Sequence, residues 1–379
     1  MLHAVIMAGG SGKRFWPQSR HDRPKQVLPI AGPRPMIAET VLRLDGLVPI
    51  ERTYIVTHEA QAGRILAGVG LGRRVPRSAR PTVATAGQAS RGTLRIIAEP
   101  FGRDTAACIG LAAVHVRRAD PDAVMLVMPA DQVIHPVKRF QEVMRAAVEI
   151  ANTEGALVTF GIKPACPATG YGYIHKGGRL IEVRGIRVHE VHRFREKPAK
   201  AVAEEYVASG EYYWNSGIFC WRAATILDCL KRFTPELYEA LERIAGAIAT
   251  PNEAVVLREA YEPLEKISID YAVMEKAESI RVVEADFEWS DVGSWESVAR
   301  LRRPEADAQG NVLVGRCELL DVAGSLILSD EGHLIGVIGV DDLIIVHTPD
   351  ATLVCSKRRA EDVKRLVDHL EKKGLAGYL

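Results

Sequence analysis

The stretch Ala4-Val5-Ile6-Met7-Ala8-Gly9-Gly10-Ser11-Gly12-Lys13-Arg14 decides how this chain is read. A short apolar run opens into a glycine-rich turn and two cations, and Pro24-Lys25 follows one loop later. Glycines leaving a strand let backbone N–H groups close on an anion with no side chain between. Gly9, Gly10 and Gly12 supply such a cradle. Lys13, Arg14 and Lys25 suit a ligand as highly charged as a nucleoside triphosphate. Two familiar phosphate loops do not fit. A Walker loop needs Ser or Thr after Gly-Lys, and here Arg14 follows Lys13. A dinucleotide-binding turn needs a third glycine where Phe15 stands.

Outward from this loop, the first half of the chain alternates between two periods. Apolar runs at 4–8, 54–57, 94–98, 124–128 and 157–161 read as buried strands, with helical stretches at 36–44, 105–118 and 140–151. This alternation predicts a doubly wound α/β fold, Rossmann-like, with a mostly parallel sheet. Ligands of such sheets bind beyond the carboxyl ends of the strands. The glycine-rich loop follows the first strand and Pro129-Ala130-Asp131 follows the fourth, so both fall on that edge. Residues 171–221 look irregular, with a hairpin near 181–191, and read as an inserted substrate-binding lobe. Beyond residue 300 the runs 311–314, 325–329, 333–340 and 343–347 are short and β-rich. A charged helix over 359–372 closes the chain with Val363, Leu366, Val367 and Leu370 on one face. The expected division is a catalytic domain over 1–300 and a small β-rich domain over 301–379.

At 379 residues, 47% hydrophobic and 26% charged, the composition is that of a globular protein. A net charge of +1 offers no electrostatic footprint for nucleic acid. No apolar run approaches membrane-spanning length. The six cysteines are scattered with no Cys-x-x-Cys pair, and Met1-Leu2-His3 carries no basic leader, so a reducing cytoplasm is expected. The eleven histidines show no metal-ligand spacing, and no Gly-x-Ser-x-Gly elbow occurs.

Three further groups of residues carry chemistry. Asp131 ends a strand at the ligand edge, and Asp291 stands in Trp289-Ser290-Asp291-Val292-Gly293-Ser294-Trp295. Mg²⁺ takes one or two carboxylates and completes its shell with phosphates and water. Glu99 and Asp104 flank the start of a small-residue helix, where either Glu99 or the helix start can accept from the edge of a purine. Gly87-Gln88-Ala89-Ser90-Arg91-Gly92 is a second candidate nucleotide loop, with Gln88 as its contact. On the sugar side, Gly172, Glu196, Lys197 and Asn215 combine a carboxylate and an amide for hydroxyls, a cation for phosphate and a glycine that admits the ring.

The segment Gly9-Gly10-Ser11-Gly12-Lys13-Arg14-Phe15-Trp16-Pro17, with Arg23-Pro24-Lys25-Gln26, resembles the signature of the sugar-nucleotide pyrophosphorylases. Its wording is closest to the mannose-1-phosphate guanylyltransferases. The resemblance covers about residues 1–300. It implies condensation of GTP with mannose 1-phosphate to GDP-mannose and pyrophosphate, with Asp131 and Asp291 holding a catalytic Mg²⁺. Arg14 and Lys25 then neutralise the triphosphate; Gln88, Glu99 and Asp104 lie at the nucleotide; Gly172, Glu196, Lys197 and Asn215 lie at the sugar. Ser268-Ile269-Asp270-Tyr271 also matches, but Asp270 serves as readily as a helix cap and is given no role. Lys13 for Thr, Asp104 for Asn, Ala107 for Pro and Gln132 for His depart from the pattern. Gln132 can hydrogen-bond to phosphate or water but carries no proton charge. The alternatives are a pyrophosphorylase for another hexose 1-phosphate or nucleotide, and a catalytically silent homologue that senses nucleotide sugars. Relatives often add a short β-helix after the catalytic domain, which suits the β-rich end. Some add an isomerase domain, for which this chain is too short, so no isomerase activity is expected. A homodimer is left open.

Overall fold

The computed structural model describes residues 1–10, 12–70, 93–330 and 332–379. The apolar runs become strands β1 (Leu2–Met7), β2 (Thr53–His58), β3 (Arg95–Glu99) and β4 (Val124–Pro129). They are followed by β5 (Val133–His135), β6 (Leu157–Ile162), β7 (Tyr173–Val183), β8 (Ile186–Arg195), β9 (Tyr212–Arg222), β10 (Ile280–Ala285) and β11 (Glu288–Ser290). Nine of them form one sheet in the order β3-β2-β1-β4-β9-β6-β10-β8-β7. The half from β3 to β4 is parallel, as is the β6–β10 pair. Near-continuous apolar strands of this kind require cover on both faces. Helices Asp104–Ala119, Ala223–Phe233 and Pro235–Ala247 pack one face, and Met36–Arg43 and Val137–Thr153 the other.

The segment 171–221 does not stand apart from this sheet. Its last strand, β9, runs antiparallel between β4 and β6, with Val127 opposite Phe219 and Thr159 opposite Phe219 on its other side. A bulge interrupts the β6–β9 register between Thr159 and Gly161 and sets Asn215 opposite Gly161. The Asn215-Ser216-Gly217 run in β9 hides its apolar period in the sequence, yet most of its residues are buried.

In the C-terminal part, β12 (Val312–Val314), β14 (Leu326–Leu328), β16 (Leu343–Thr348) and β17 (Ala351–Ser356) form one sheet. β13 (Arg316–Ala323) and β15 (Leu334–Asp341) pair in parallel as a second. Val312 lies beside Leu326, Arg316 beside Leu334 and Leu326 beside Ile344, so the chain returns onto itself in rungs of 14 and 18 residues. Those rungs are the β-helix-like period, repeated too few times to stand out in the sequence. Lys357–Asp362 is a 3₁₀ turn, and the regular helix covers only Val363–Lys372. Val363 and Val367 are buried and Leu370 packs beside them, whereas Leu366 is 37% exposed and falls off the expected face. The two parts share a core: Phe15, Trp16, Leu28 and Trp295 pack with Leu326, Ile344, Val346, Val363 and Val367.

Among the described residues no helix is long and apolar enough to cross a membrane. All six cysteines are free thiols.

Candidate active site

β1 and β4 are parallel neighbours with Met7 opposite Pro129, so the loops that leave them emerge side by side. Ala130 N–H donates to the Met7 carbonyl at 2.9 Å and fixes the two exits to each other. Lys25 reaches this junction from the turn Lys25–Val27. Its Nζ donates to Asp131 Oδ2 at 3.0 Å and to the Asp291 carbonyl at 3.1 Å. Its side chain is only 6% exposed and lies 5.1 Å from the Phe15 ring centroid. Gly12 makes this approach possible. At φ +64° it sits in the left-handed region, and a Cβ there would fall 2.6 Å from Lys25 Cβ.

Asp291 Oδ1 accepts from the Tyr171 hydroxyl at 2.8 Å. Trp214 and Trp289 meet the Tyr171 ring edge-on at 5.0 and 5.3 Å and hold the phenol in place. Burial pushes the Asp291 carboxyl above its usual range, and nearby Asp131 adds to this; Tyr171 and Lys25 pull the other way. Two neighbouring carboxylates of this kind are a fit for a divalent cation, which relieves their repulsion. Among the described residues no group of three or more His, Cys, Asp and Glu side chains could hold a metal. The Asp131–Asp291 pair therefore suits a cation that takes the rest of its shell from phosphate and water, as Mg²⁺ does.

The sugar-side residues also converge. Gly172 is buried against Glu196 and Asn215: a Cβ there would collide with Glu196 Oε2 and lie 3.4 Å from Asn215 Cβ. Asn215 N–H donates to the Gly172 carbonyl at 2.8 Å. Lys197 Nζ lies 2.6 Å from Glu196 Oε1 with most of its length exposed. Tyr171 and Gly172 are consecutive, so one dipeptide touches the Asp291 carboxylate and lines the sugar cluster.

The phosphate loop is held differently from what the sequence suggests. Gly9 and Gly10 are exposed, and the Gly9 carbonyl accepts from Gln26 Nε2 at 2.6 Å. Lys13 lies 2.9 Å from Asp368 and 2.8 Å from Glu371, and Arg14 lies 2.6 Å from Glu361. Arg20 adds Asp350 and the Tyr378 carbonyl at 2.9 Å each. These partners all belong to the C-terminal part. Of the three cations read as a triphosphate set, only Lys25 faces the carboxylates.

On the nucleotide side, Glu99 ends β3 and is 6% exposed. It accepts from the Tyr261 hydroxyl at 2.5 Å, and burial lifts its carboxyl to about 7. Asp104 is exposed at φ 65°, and its Oδ1 accepts from Thr105 N–H at 2.7 Å. Gln88 lies outside the described residues. Gln132 points inward rather than toward phosphate. Its Nε2 donates to the Ser216 carbonyl at 2.5 Å, and its backbone carbonyl accepts from the buried Arg43 guanidinium at 2.8 Å. It ties the Asp131 loop to β9. The hydroxyl of Tyr171, the phenol of Tyr261 and Asp270 are participants to which the sequence assigns no role. Two aromatics flanking Asp291 and a tyrosine before Gly172 are the available signals.

This geometry, with phosphate loop and acid pair at the carboxyl edge of a doubly wound sheet, is that of a nucleotide-transferring enzyme, and the chain belongs to the nucleotidyl transferase family. The family model matches residues 3–307, and a MannoseP isomerase/GMP-like beta-helix domain matches residues 315–370. Mannose-1-phosphate guanylyltransferase of Klebsiella pneumoniae is 40% identical over 379 residues, spanning all of this chain and 76% of its own. The enzyme of the same name from Escherichia coli strain K12 is 39% identical, spanning 98% and 74%. A Thermus thermophilus crystal structure described as a mannose-1-phosphate geranyltransferase superposes with a TM-score of 0.82 at 35% identity. It covers 98% of this chain and 99% of its own.

Proposed function

We propose that this chain condenses mannose 1-phosphate with GTP, giving GDP-mannose and pyrophosphate. The observation that carries the reading is the Tyr171-Gly172 dipeptide, which joins the Lys25–Asp131–Asp291 junction to the Glu196–Asn215 cluster. One continuous site thus offers groups for polyphosphate at one end and for a hexose at the other. Identity near 40% with enzymes named for this reaction supports the choice of base and sugar.

A sugar 1-phosphate is largely ionised at neutral pH, with a second pKa of about 6, so its oxygen attacks without a protein base. The protein's work is in-line positioning and charge neutralisation. Lys25 offers its ammonium where the α-phosphate meets the acid pair. Arg14, released from Glu361, neutralises the pyrophosphate that leaves. Lys197 holds the attacking phosphate while Glu196, Asn215 and Gly172 fix the ring. Asp131 and Asp291 would hold Mg²⁺, which would supply charge stabilisation to the transferring phosphoryl group. Gly9, Gly10 and Gly12 cradle the triphosphate; Gln88, Glu99 and Asp104 lie toward the base. Residues 1–300 carry this chemistry, and 301–379 brace the phosphate loop. The setting is cytoplasmic, with GTP and mannose 1-phosphate as partners.

The test is pyrophosphate release with Mg²⁺, crossing GTP, ATP, UTP and dTTP against mannose, glucose and N-acetylglucosamine 1-phosphates. Release confined to GTP with mannose 1-phosphate is expected. Preference for another pair would move the error to the base and sugar groups. No release with any pair from folded protein would sink the reading.

A further inference from the structure

Asp270 begins a single π-helical turn, Asp270–Met274, of the kind that recurs at functional sites. It is turned toward the sugar cluster. Its Oδ1 accepts from Asn215 Nδ2 at 2.8 Å. At the other end of that amide, Asn215 Oδ1 accepts from Gly217 N–H at 3.1 Å and from Thr159 Oγ1 at 3.4 Å. A backbone N–H can only donate, so the amide orientation is forced: carbonyl toward Gly217, NH₂ toward Asp270. The carbonyl is consumed, and one N–H goes to Asp270. Asn215 therefore keeps one free donor among the described residues for a sugar hydroxyl.

The carboxylate holding this arrangement sits in costly surroundings. Burial, with Glu196 beside it, lifts Asp270 to about 6 against the pull of the Asn215 hydrogen bond and Lys197. A carboxylate placed beside a second one inside a binding cluster needs a local purpose. Two hydrogen bonds anchor its segment from outside: Ile269 N–H donates to Thr105 Oγ1 at 2.8 Å, and Ala106 N–H to the Ile267 carbonyl at 3.2 Å. The start of helix Asp104–Ala119 thus sets the position from which Asp270 reaches Asn215.

We propose that Asp270 is a positioning residue for the hexose: it locks the Asn215 amide so that its remaining N–H is presented to a sugar hydroxyl in the cluster with Gly172 and Glu196. This rests on the sugar 1-phosphate reading above. Loss of one such neutral hydrogen bond to a ligand hydroxyl is worth roughly a factor of five to ten in affinity.

The experiment measures kcat and both KM values for the full chain as Asp270→Ala, Asp270→Asn, Asn215→Ala and Asp270→Ala/Asn215→Ala, with thermal unfolding alongside. Asp270→Ala is expected to raise the mannose 1-phosphate KM about tenfold, leaving the GTP KM within about twofold. Asp270→Asn keeps an acceptor oxygen and should recover most of the loss. In the Asn215→Ala background, Asp270→Ala should add less than about twofold, because the two act through one group. Additive effects, or equal rises in both KM values with a lowered unfolding temperature, would overturn the proposal. If Asp270→Ala does not fold, Asp270→Leu, which also removes the acceptor, in both backgrounds decides by the same criterion of additivity. Wild-type protein that turns over mannose 1-phosphate beside an unaffected Asp270→Ala would defeat this inference alone. Wild-type protein with no sugar-dependent release would defeat the activity as well.

Discussion

The two ends of the proposed phosphate site are built from the same residue types and held in opposite ways. At the acid end, Lys25 is 6% exposed and bonded to Asp131 and the Asp291 carbonyl, both within the stretch 3–307 that matches the nucleotidyl transferase family. At the loop end, Arg14 is 45% and Lys13 26% exposed, and both pair with carboxylates of the C-terminal part. A buried, multiply bonded cation is fixed before a ligand arrives. An exposed ion pair contributes at most about 1 kcal/mol and can be exchanged for a better anion. Under the proposed reaction, the acid end is thus fixed before the transition state forms, and the loop end is an ion pairing open to exchange for a triphosphate.

The largest effect should come from the acid end. Asp291→Asn removes a charge next to the reacting groups, keeps the Tyr171 contact and should lower kcat roughly a hundredfold to a thousandfold. Pyrophosphate release in steady state measures it, and a loss of about tenfold or less would erase the contrast between the ends. Arg14→Ala is next. A loss of about 3 kcal/mol in kcat/KM, on the scale of a missing oxyanion donor, is expected with a small change in unfolding temperature. Wild-type turnover would leave Arg14 as a domain clasp only.

Glu99 gives a smaller, pH-dependent effect at the nucleotide edge. Its folded carboxyl titrates near 7 against an ordinary 4.5, so the folded state holds a proton that the unfolded chain has released across this window. Stability therefore falls as pH rises from 4.5 through 7, by about 3 kcal/mol at most. Glu99→Gln should flatten that slope in urea titrations at about pH 5 and about pH 8 and be the more stable form at the higher pH. An unchanged slope would mean that Glu99 is charged in the folded protein. Smallest of all, Lys13→Ala should cost under about 1 kcal/mol, less still in high salt. A loss of several kcal/mol would make the loop end as fixed as the acid end.

Much of this is legible in the sequence because it is local. A strand, a glycine turn and an acid at a neighbouring strand's exit follow from period and residue type, so β1 and β4 form where expected and Asp131 leaves the carboxyl end of β4. What escapes is long-range. Nothing near Lys13 or Arg14 announces Asp368, Glu371 or Glu361, which stand at the far end of the chain. The Asn215-Ser216-Gly217 run in the middle of β9 conceals a central strand, because flanking helices and neighbours bury even its Ser216. Leu366 fits the apolar period, yet it stands at the edge of the face that buries Val363 and Val367 and is 37% exposed. The place of Gln132 in its motif suggests a phosphate contact, whereas its amide holds the Ser216 carbonyl.

The most direct test of the preorganised acid end is the rate of the chemical step in a single turnover, with enzyme in excess over GTP and saturating mannose 1-phosphate, for Asp131→Asn against wild type. Asp131→Asn leaves an oxygen to accept from Lys25 but removes the charge that pairs with it. A step slowed about a hundredfold or more, in protein that unfolds at the wild-type temperature, is expected. A step within about threefold of wild type would place the chemistry elsewhere and contradict the central claim.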